Sequence, residues 1–158
     1  MHSQAAQLEV LGLMAAHESA ACDLYRALAA RFPEEAELFL GLAEEEVEHA
    51  RKIGRFADQV RAGTLRIDPL RFPPTEVLES LERLRGRAAQ LERADVSLAE
   101  VLAITVDVEN EILERSYFEV VEADGPELAE LLRTLDTETQ THRERLGAAW
   151  EQARGTKE

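Results

Sequence analysis

The feature that most constrains the fold of this chain is a match of the sequence with itself. When the sequence is shifted by 93 residues without a gap, its first part superposes on its second part, and turn, apolar and polar positions agree. The matched pairs include Leu11 and Ile104, Ala15 and Val108, Glu18 and Glu111, Tyr25 and Phe118, Pro33 and Pro126, His49 and His142, and Gly54 and Gly147. A repeat of this kind predicts two copies of one supersecondary unit, packed about a pseudo-twofold axis.

Each copy of the repeat has the pattern of a helical hairpin. Apolar residues recur at steps of three and four, which predicts α-helices over about 5–31, 33–60, 97–121 and 126–152. Pro followed by Glu opens the second and fourth helices, since proline is tolerated in the first turn and acidic groups favour the positive helix start. The chain is therefore predicted to be all-α, with four main helices.

The connection between the two hairpins is long. Residues 64–74 hold three prolines and no helical period, and Thr75 can cap a further helix to about Glu92. This layout resembles a ferritin-like four-helix bundle with a long crossover that contains an extra helix between helices 2 and 3. A single domain spanning residues 1–158 is expected.

The charge balance narrows the classes of partner. Acidic residues number 32 against 18 basic ones, and the formal net charge of −14 repels nucleic acid and anionic membrane surfaces. No apolar run approaches the roughly 20 residues that cross a bilayer, and the first residues lack the pattern of a signal peptide. The lone Cys22 excludes an internal disulfide. We therefore expect a cytoplasmic protein that binds neither nucleic acid nor membrane.

Polar residues on the apolar stripes point to a metal site. Glu18 and its counterpart Glu111 interrupt such stripes, and a buried charge costs several kcal/mol unless it is paired or binds a metal ion. Glu46 and His49 are three residues apart on one face of the second helix, and His142 occupies the position of His49 in the fourth. The separation from Glu18 to His49 equals that from Glu111 to His142, so both halves carry the pattern.

With these residues the sequence resembles the rubrerythrin and ferritin-like family, whose signature is one Glu on each of two helices and Glu-x-x-His on each of the other two. The resemblance implies two iron ions, or manganese in their place. It assigns as ligands Glu18, Glu46, His49, Glu111, Glu114 and His142, with Glu46 bridging the ions. Tyr25 matches the family's first helix, and it is either a core residue or a donor that orients a carboxylate.

One position departs from the family pattern. The repeat predicts a glutamate at 139, where the sequence has Thr139. Its neighbour Glu138 is expected to point about 100° away on the helix, so Glu114 or water would complete the second ion. Glu44, Glu45 and Glu48 are expected to be solvated surface. A bundle that kept the fold and lost tight metal binding is the alternative.

The resemblance implies a redox protein that reduces peroxide or dioxygen at the metal pair. The chain has no four-cysteine rubredoxin module, so electrons are expected from a separate donor. The alternatives are a non-enzymatic iron-binding or iron-handling protein and a metal-free structural bundle. A homodimer is expected, with contact residues among Leu13, Phe39 and Leu40, and His2 and His17 are expected on the surface.

Overall fold

A computed structural model describes residues 3–67, 73–93, 95–114 and 126–155, except for some side chains on the last two helices. Those side chains belong to residues 110–114, 127–129, 131, 132, 135, 136 and 139. The described elements are α1 (Gln4–Arg31), a 3-10 helix (Pro33–Glu35), α2 (Ala36–Arg61), α3 (Pro74–Leu91), α4 (Leu98–Glu114) and α5 (Pro126–Gly155). The predicted all-α class is confirmed.

Local signals in the sequence account for most helix ends. The Ser3 side chain accepts a hydrogen bond from the backbone N–H of Ala6 at 3.1 Å and so caps α1. Ser97 Oγ accepts from the N–H of Glu100 at 3.2 Å, as the predicted capping box requires. The prediction that Thr75 caps α3 is wrong, because the helix already begins at Pro74 and has no side-chain cap. The predicted end of helix 3 near residue 121 lies outside the described residues.

The helices pack as two hairpins and one additional helix. The most extensive contacts join α1 to α2 and α4 to α5, while α3 packs mainly on α1 and α2 touches α5. The hydrophobic core joins residues of all five helices, among them Leu11, Tyr25, Phe39, Leu42, Ile53, Leu84, Leu102 and Leu146. The rings of Tyr25 and Phe39 stack with centroids 6.4 Å apart. This core surrounds the polar residues described below.

Two residues expected on the surface are buried. Phe39, named above as a candidate for a dimer contact, has no exposed surface because it packs against Tyr25 in the core. His17 is 2% exposed, since α3 covers this side of α1 and Ser80 Oγ lies 3.3 Å from His17 Nε2. Leu40, by contrast, is 48% exposed. The helical period predicts which face a residue occupies but not whether another helix covers that face.

The helix α3 lies between α2 and α4 in the chain, where an extra helix was predicted. The connections on either side of it include residues 68–72 and residue 94, which are outside the described residues. The long crossover as a whole therefore stays a prediction. Within the described helices, no segment is both long and apolar enough to cross a membrane.

Two glycines of α2 and its C-terminal end provide a test of the fold with opposite signs. Gly63 has φ 76°, a left-handed conformation that disfavours a side chain, whereas Gly54 is exposed within the helix and a Cβ there meets no atom. We expect Gly63→Ala to lower the free energy of unfolding by about 1 kcal/mol and Gly54→Ala to raise it by roughly 0.5–1 kcal/mol. Urea denaturation of both variants measures this, and equal signs would contradict the assigned end of α2.

Candidate metal centre

Four helices bring five ionisable side chains together in the middle of the bundle. Glu18 comes from α1, Glu46 and His49 from α2, Glu109 from α4 and His142 from α5. All five are buried. They form two groups whose ligand atoms are close enough to hold a metal ion, Glu18–Glu46–His49 and Glu46–Glu109–His142. Glu46 belongs to both groups.

The two oxygens of Glu46 face different histidines. In the first group, His49 Nδ1 lies 3.6 Å from Glu46 Oε2 and 3.6 Å from Glu18 Oε2. In the second group, His142 Nδ1 lies 3.2 Å from Glu46 Oε1 and 3.9 Å from Glu109 Oε2. The two imidazole rings are nearly parallel, with centroids 5.9 Å apart. One carboxylate therefore lies between two adjacent sets of ligand atoms, as a bridging ligand would.

The other nitrogen of each ring faces a carboxylate at the edge of the bundle. His49 Nε2 contacts Glu138 of α5, and His142 Nε2 contacts Glu45 of α2. Both predictions for these carboxylates are wrong: Glu45 is not simply solvated surface, and Glu138 does not point away from the site. Each is half-buried, because the side chain is long enough to reach across the α2–α5 contact from a flanking position.

Tyr25 supports the second group. Its buried hydroxyl donates a hydrogen bond to Glu109 Oε1, so Tyr25 orients a carboxylate while its ring packs in the core. Tyr25 is thus a core residue that also contacts a carboxylate, and its role as support for a metal ligand stays a prediction. Glu109 Oε2 and His142 Nδ1 are buried and make no hydrogen bond with the described residues. Buried polar atoms of this kind need a ligand, which a metal ion would provide.

The sequence analysis missed Glu109. A signal for it exists, because Leu102, Thr105 and Glu109 recur at steps of three and four on the buried face of α4. The repeat instead selected Glu111 as the third-helix ligand. The side chains of Glu111 and Glu114 are outside the described part of the chain, so their roles as ligands stay predictions.

Burial and mutual contact shift the pKa values of the carboxyl groups in opposite directions. Burial and the nearby charge of Glu46 raise the pKa of Glu109 to about 7, and the same two causes raise the pKa of Glu18 well above its ordinary range. Burial acts in the same direction on Glu46, but its close interactions with Glu18, His142 and His49 lower its pKa far below the ordinary value. Glu46 is therefore the carboxylate that stays ionised.

Both histidines are favoured in their protonated forms when no metal ion is bound. Burial disfavours their charged forms, yet the neighbouring carboxylates of Glu18 and Glu46 raise the pKa of His49 to about 11. The pKa of His142 is raised against the effect of burial by Glu46 and Glu109. Protons thus compensate the buried negative charge, and metal ions would replace them at the same atoms.

The donor set fits iron or manganese. Each group offers carboxylate oxygens and one imidazole nitrogen, a combination that suits Fe²⁺ and Mn²⁺ better than copper or structural zinc. Three protein side chains in each group leave coordination positions for water or substrate. A pair of ions sharing Glu46 is thus compatible with the residues present.

A comparison with protein families agrees with this geometry. The sequence model of the family described as Rubrerythrin matches residues 9–150, which is most of the chain. The chain belongs to the rubrerythrin family. Rubrerythrins normally bind a metal pair within a ferritin-like bundle, so the predicted family and fold class are confirmed. Searches of curated proteins and of solved structures gave no match.

Glu109 and Glu111 can be distinguished by substitution. The contacts of Glu109 predict that Glu109→Gln weakens one of two bound ions by at least about tenfold, whereas the repeat predicts this effect for Glu111→Gln. Calorimetric titration of each variant with Mn²⁺ measures the affinities. We expect the larger loss for Glu109→Gln, and a loss confined to Glu111→Gln would show that the repeat identified the ligand correctly.

The stability of the metal-free protein is expected to fall as pH rises. Folding raises the pKa of Glu109 from 4.5 to about 7 and that of His49 from 6.5 to about 11. The folded state therefore binds more protons than the unfolded state between these values, and it loses stability from about pH 5 to pH 9. Thermal denaturation with a chelator should show a lower midpoint at pH 9 than at pH 6. A midpoint that rises over this interval would contradict the assigned shifts.

Proposed function

We propose that this rubrerythrin-family protein is a non-haem di-iron oxidoreductase that reduces peroxide or dioxygen. Manganese is the alternative metal. The first ion would be held by Glu18, Glu46 and His49, and the second by Glu46, Glu109 and His142. The observation that carries the proposal is the position of Glu46. This residue is only 2% exposed, and its two oxygens face the two histidines.

The reaction requires a pair of one-electron donors at one place. Reduction of one peroxide molecule consumes two electrons and two protons and yields two waters, and a bound pair of ferrous ions would supply one electron each. Reduction of dioxygen to water consumes four electrons and four protons, which two cycles of the pair provide. In both cases a separate reductant, either a small redox protein or a low-molecular-weight donor, must return the electrons.

The protein side chains would control geometry and access to water. Burial of Glu18, Glu46 and Glu109 keeps bulk water away and strengthens the electrostatic effect of each carboxylate. The Tyr25 hydroxyl holds Oε1 of Glu109 and leaves Oε2 directed at the second group. A carboxylate that is held at one oxygen can still change its contacts at the other as charge in the site changes.

Iron binding without turnover is the second candidate function. One feature favours it, namely Thr139 at the position where the repeat and the family signature require a glutamate. With one bridging carboxylate fewer, the second ion would be held more weakly and could exchange more readily. Such a protein would sequester or deliver iron, and its ferrous ions would not support repeated reduction of peroxide.

Metal content and turnover under one set of conditions separate these candidates. We expect protein purified without chelators, or loaded anaerobically with Fe²⁺, to bind about two ions per chain. Addition of peroxide should oxidise the ferrous protein, and with ascorbate present each metal pair should consume many equivalents of peroxide. Reversible iron release without such consumption would favour the carrier function, and a protein that binds no metal would overturn both.

A matched pair of variants tests the role of Glu46. Glu46→Gln preserves the volume of the side chain but removes the charge shared by both groups, so we expect weaker binding of both ions and loss of peroxide consumption. Glu44→Gln, on the exposed face of the same helix, serves as the control and should retain both properties. Loss of a single ion in Glu46→Gln would contradict the bridging role.

The homodimer, with Leu13 or Leu40 at its interface, and the cytoplasmic location remain predictions.

A further inference from the structure

A groove runs along the outside of the bundle between α1 and α3. Its cavity volume is about 840 Å³, and buried leucines of both helices form its floor. Alanines form much of its walls, namely Ala16, Ala20 and Ala27 of α1 and Ala88 and Ala89 of α3. Walls of small residues allow the backbone of another helix to approach closely, so the groove has the form of a helix-binding surface.

The rim of this groove carries charges of both signs. Asp23 of α1 and Glu92 of α3 are exposed acidic residues, and Arg85 of α3 is an exposed basic one. The guanidinium of Arg31 already donates to two backbone carbonyl groups at the end of α3. A small anion or cation would meet a charge of its own sign at this rim, whereas a protein surface with both signs is complementary to it. The charges therefore favour a protein partner.

One exposed stripe of α3 borders the groove. Leu78, Glu82, Arg85, Ala89 and Glu92 follow one another at steps of four and three residues, so they lie on one face of the helix, and all five are exposed. Leu78 is 40% exposed and is one of the two large apolar side chains that are exposed within the described ranges. Steps of four and three are the spacing of a helix that packs along another helix.

Glu82 and Arg85 form the charged centre of this stripe. They are three residues apart on one helix, yet neither makes an ion pair with another residue in the described part of the chain. The same spacing forms an exposed ion pair at Glu48 and Arg51 of α2. When a second α3 lies antiparallel over the same point, Glu82 of each helix faces Arg85 of the other, because the stripe then meets itself in reverse order. The charges that are unpaired in one chain are thus complementary between two chains.

We propose that the partner is a second copy of this chain, and that two copies dock α3 into each other's groove, antiparallel about a twofold axis. Leu78 of one copy then lies over Ala89 of the other and enters the groove between α1 and α3. Glu82 pairs with Arg85 of the second copy, and the symmetry repeats this contact. The α3 helix lies between the two repeated hairpins, so the surface belongs to the helix added to the bundle and does not involve the metal pair.

The other exposed leucine provides a matched control. Leu40 is 48% exposed on α2 and does not line the groove. The sequence analysis named it as a dimer contact together with Leu13, which is only partly exposed and packs against the core. Substitution of Leu78 and of Leu40 therefore distinguishes an interface on α3 from an interface on α2.

Sedimentation equilibrium of the full chain measures the dimer directly. We expect a monomer–dimer equilibrium with a dissociation constant in the micromolar range. Leu78→Glu should weaken the dimer at least about tenfold, because it replaces the central apolar contact by a charge. Leu40→Glu should leave the dissociation constant unchanged, and circular dichroism should show that both variants are folded, since both leucines are exposed.

Three results would overturn the proposal. The first is a wild-type protein that stays monomeric at several hundred micromolar. The second is a dimer that Leu40→Glu weakens and Leu78→Glu does not. The third is a monomer that binds a fluorescent long-chain fatty acid in competition with no second copy, which would assign the groove to a small amphiphile.

Charge reversal tests the reciprocal ion pairs. Glu82→Arg and Arg85→Glu each bring like charges together at two places, so each variant alone should dimerise at least about tenfold more weakly. An equimolar mixture of the two variants should form a dimer with one copy of each, because every such contact then joins opposite charges. Glu79→Arg, about 100° away on the same helix, is the control and should dimerise as the wild type does. Single variants that dimerise as tightly as the wild type would contradict the pairing.

A disulfide between copies reports the direction of the helices. Oxidation of a mixture of Leu78→Cys and Ala89→Cys should link one copy of each variant, whereas neither variant alone should cross-link, since like positions lie too far apart in an antiparallel pair. The native Cys22 is buried and should not react. Efficient linkage of Leu78→Cys to itself would show parallel helices and would overturn the proposed arrangement.

Discussion

The structure depends on the cost of burying three carboxylates and two imidazoles in one place. Glu18, Glu46 and Glu109 come from three helices, and none of them can be ionised at low cost without a compensating cation. Glu46 is the centre of this arrangement because it is the only one of the three that contacts both histidines. The apolar residues around it strengthen the electrostatic interactions inside the site. They also make it unfavourable for Glu46 to carry a charge that no proton or cation balances.

The internal repeat explains why the site has two halves and why they differ. A duplicated hairpin places His49 and His142 at equivalent positions, and it places Glu45 and Glu138 at equivalent positions as well. The buried carboxylates follow the symmetry less closely. Glu46 has Thr139 as its counterpart, and Glu109 of α4 lies two residues before the counterpart of Glu18. The positions of Glu45 and Glu138 thus preserve a symmetry that Glu18, Glu46 and Glu109 have partly lost.

Sequence reasoning predicted what depends on local pattern and missed what depends on helix placement. The start of α5 at Pro126 and the cap at Ser97 follow from local chemistry. The convergence of Glu18, Glu46, His49 and His142 followed from the repeat and the family signature. The contacts of Glu45 and Glu138 were missed because a helical wheel describes one helix, whereas a side chain at the edge of a face can reach the next helix. Burial of His17 likewise depends on where α3 lies.

Protons and metal ions are alternative means of balancing the same buried charge, which links folding to metal binding. In the metal-free protein, His49 is stabilised in its charged form and Glu18 and Glu109 in their neutral forms. Binding of divalent ions would displace these protons, so that the carboxylates ionise and each imidazole offers a lone pair. A ligand that binds only the folded state stabilises it in proportion to the logarithm of its concentration.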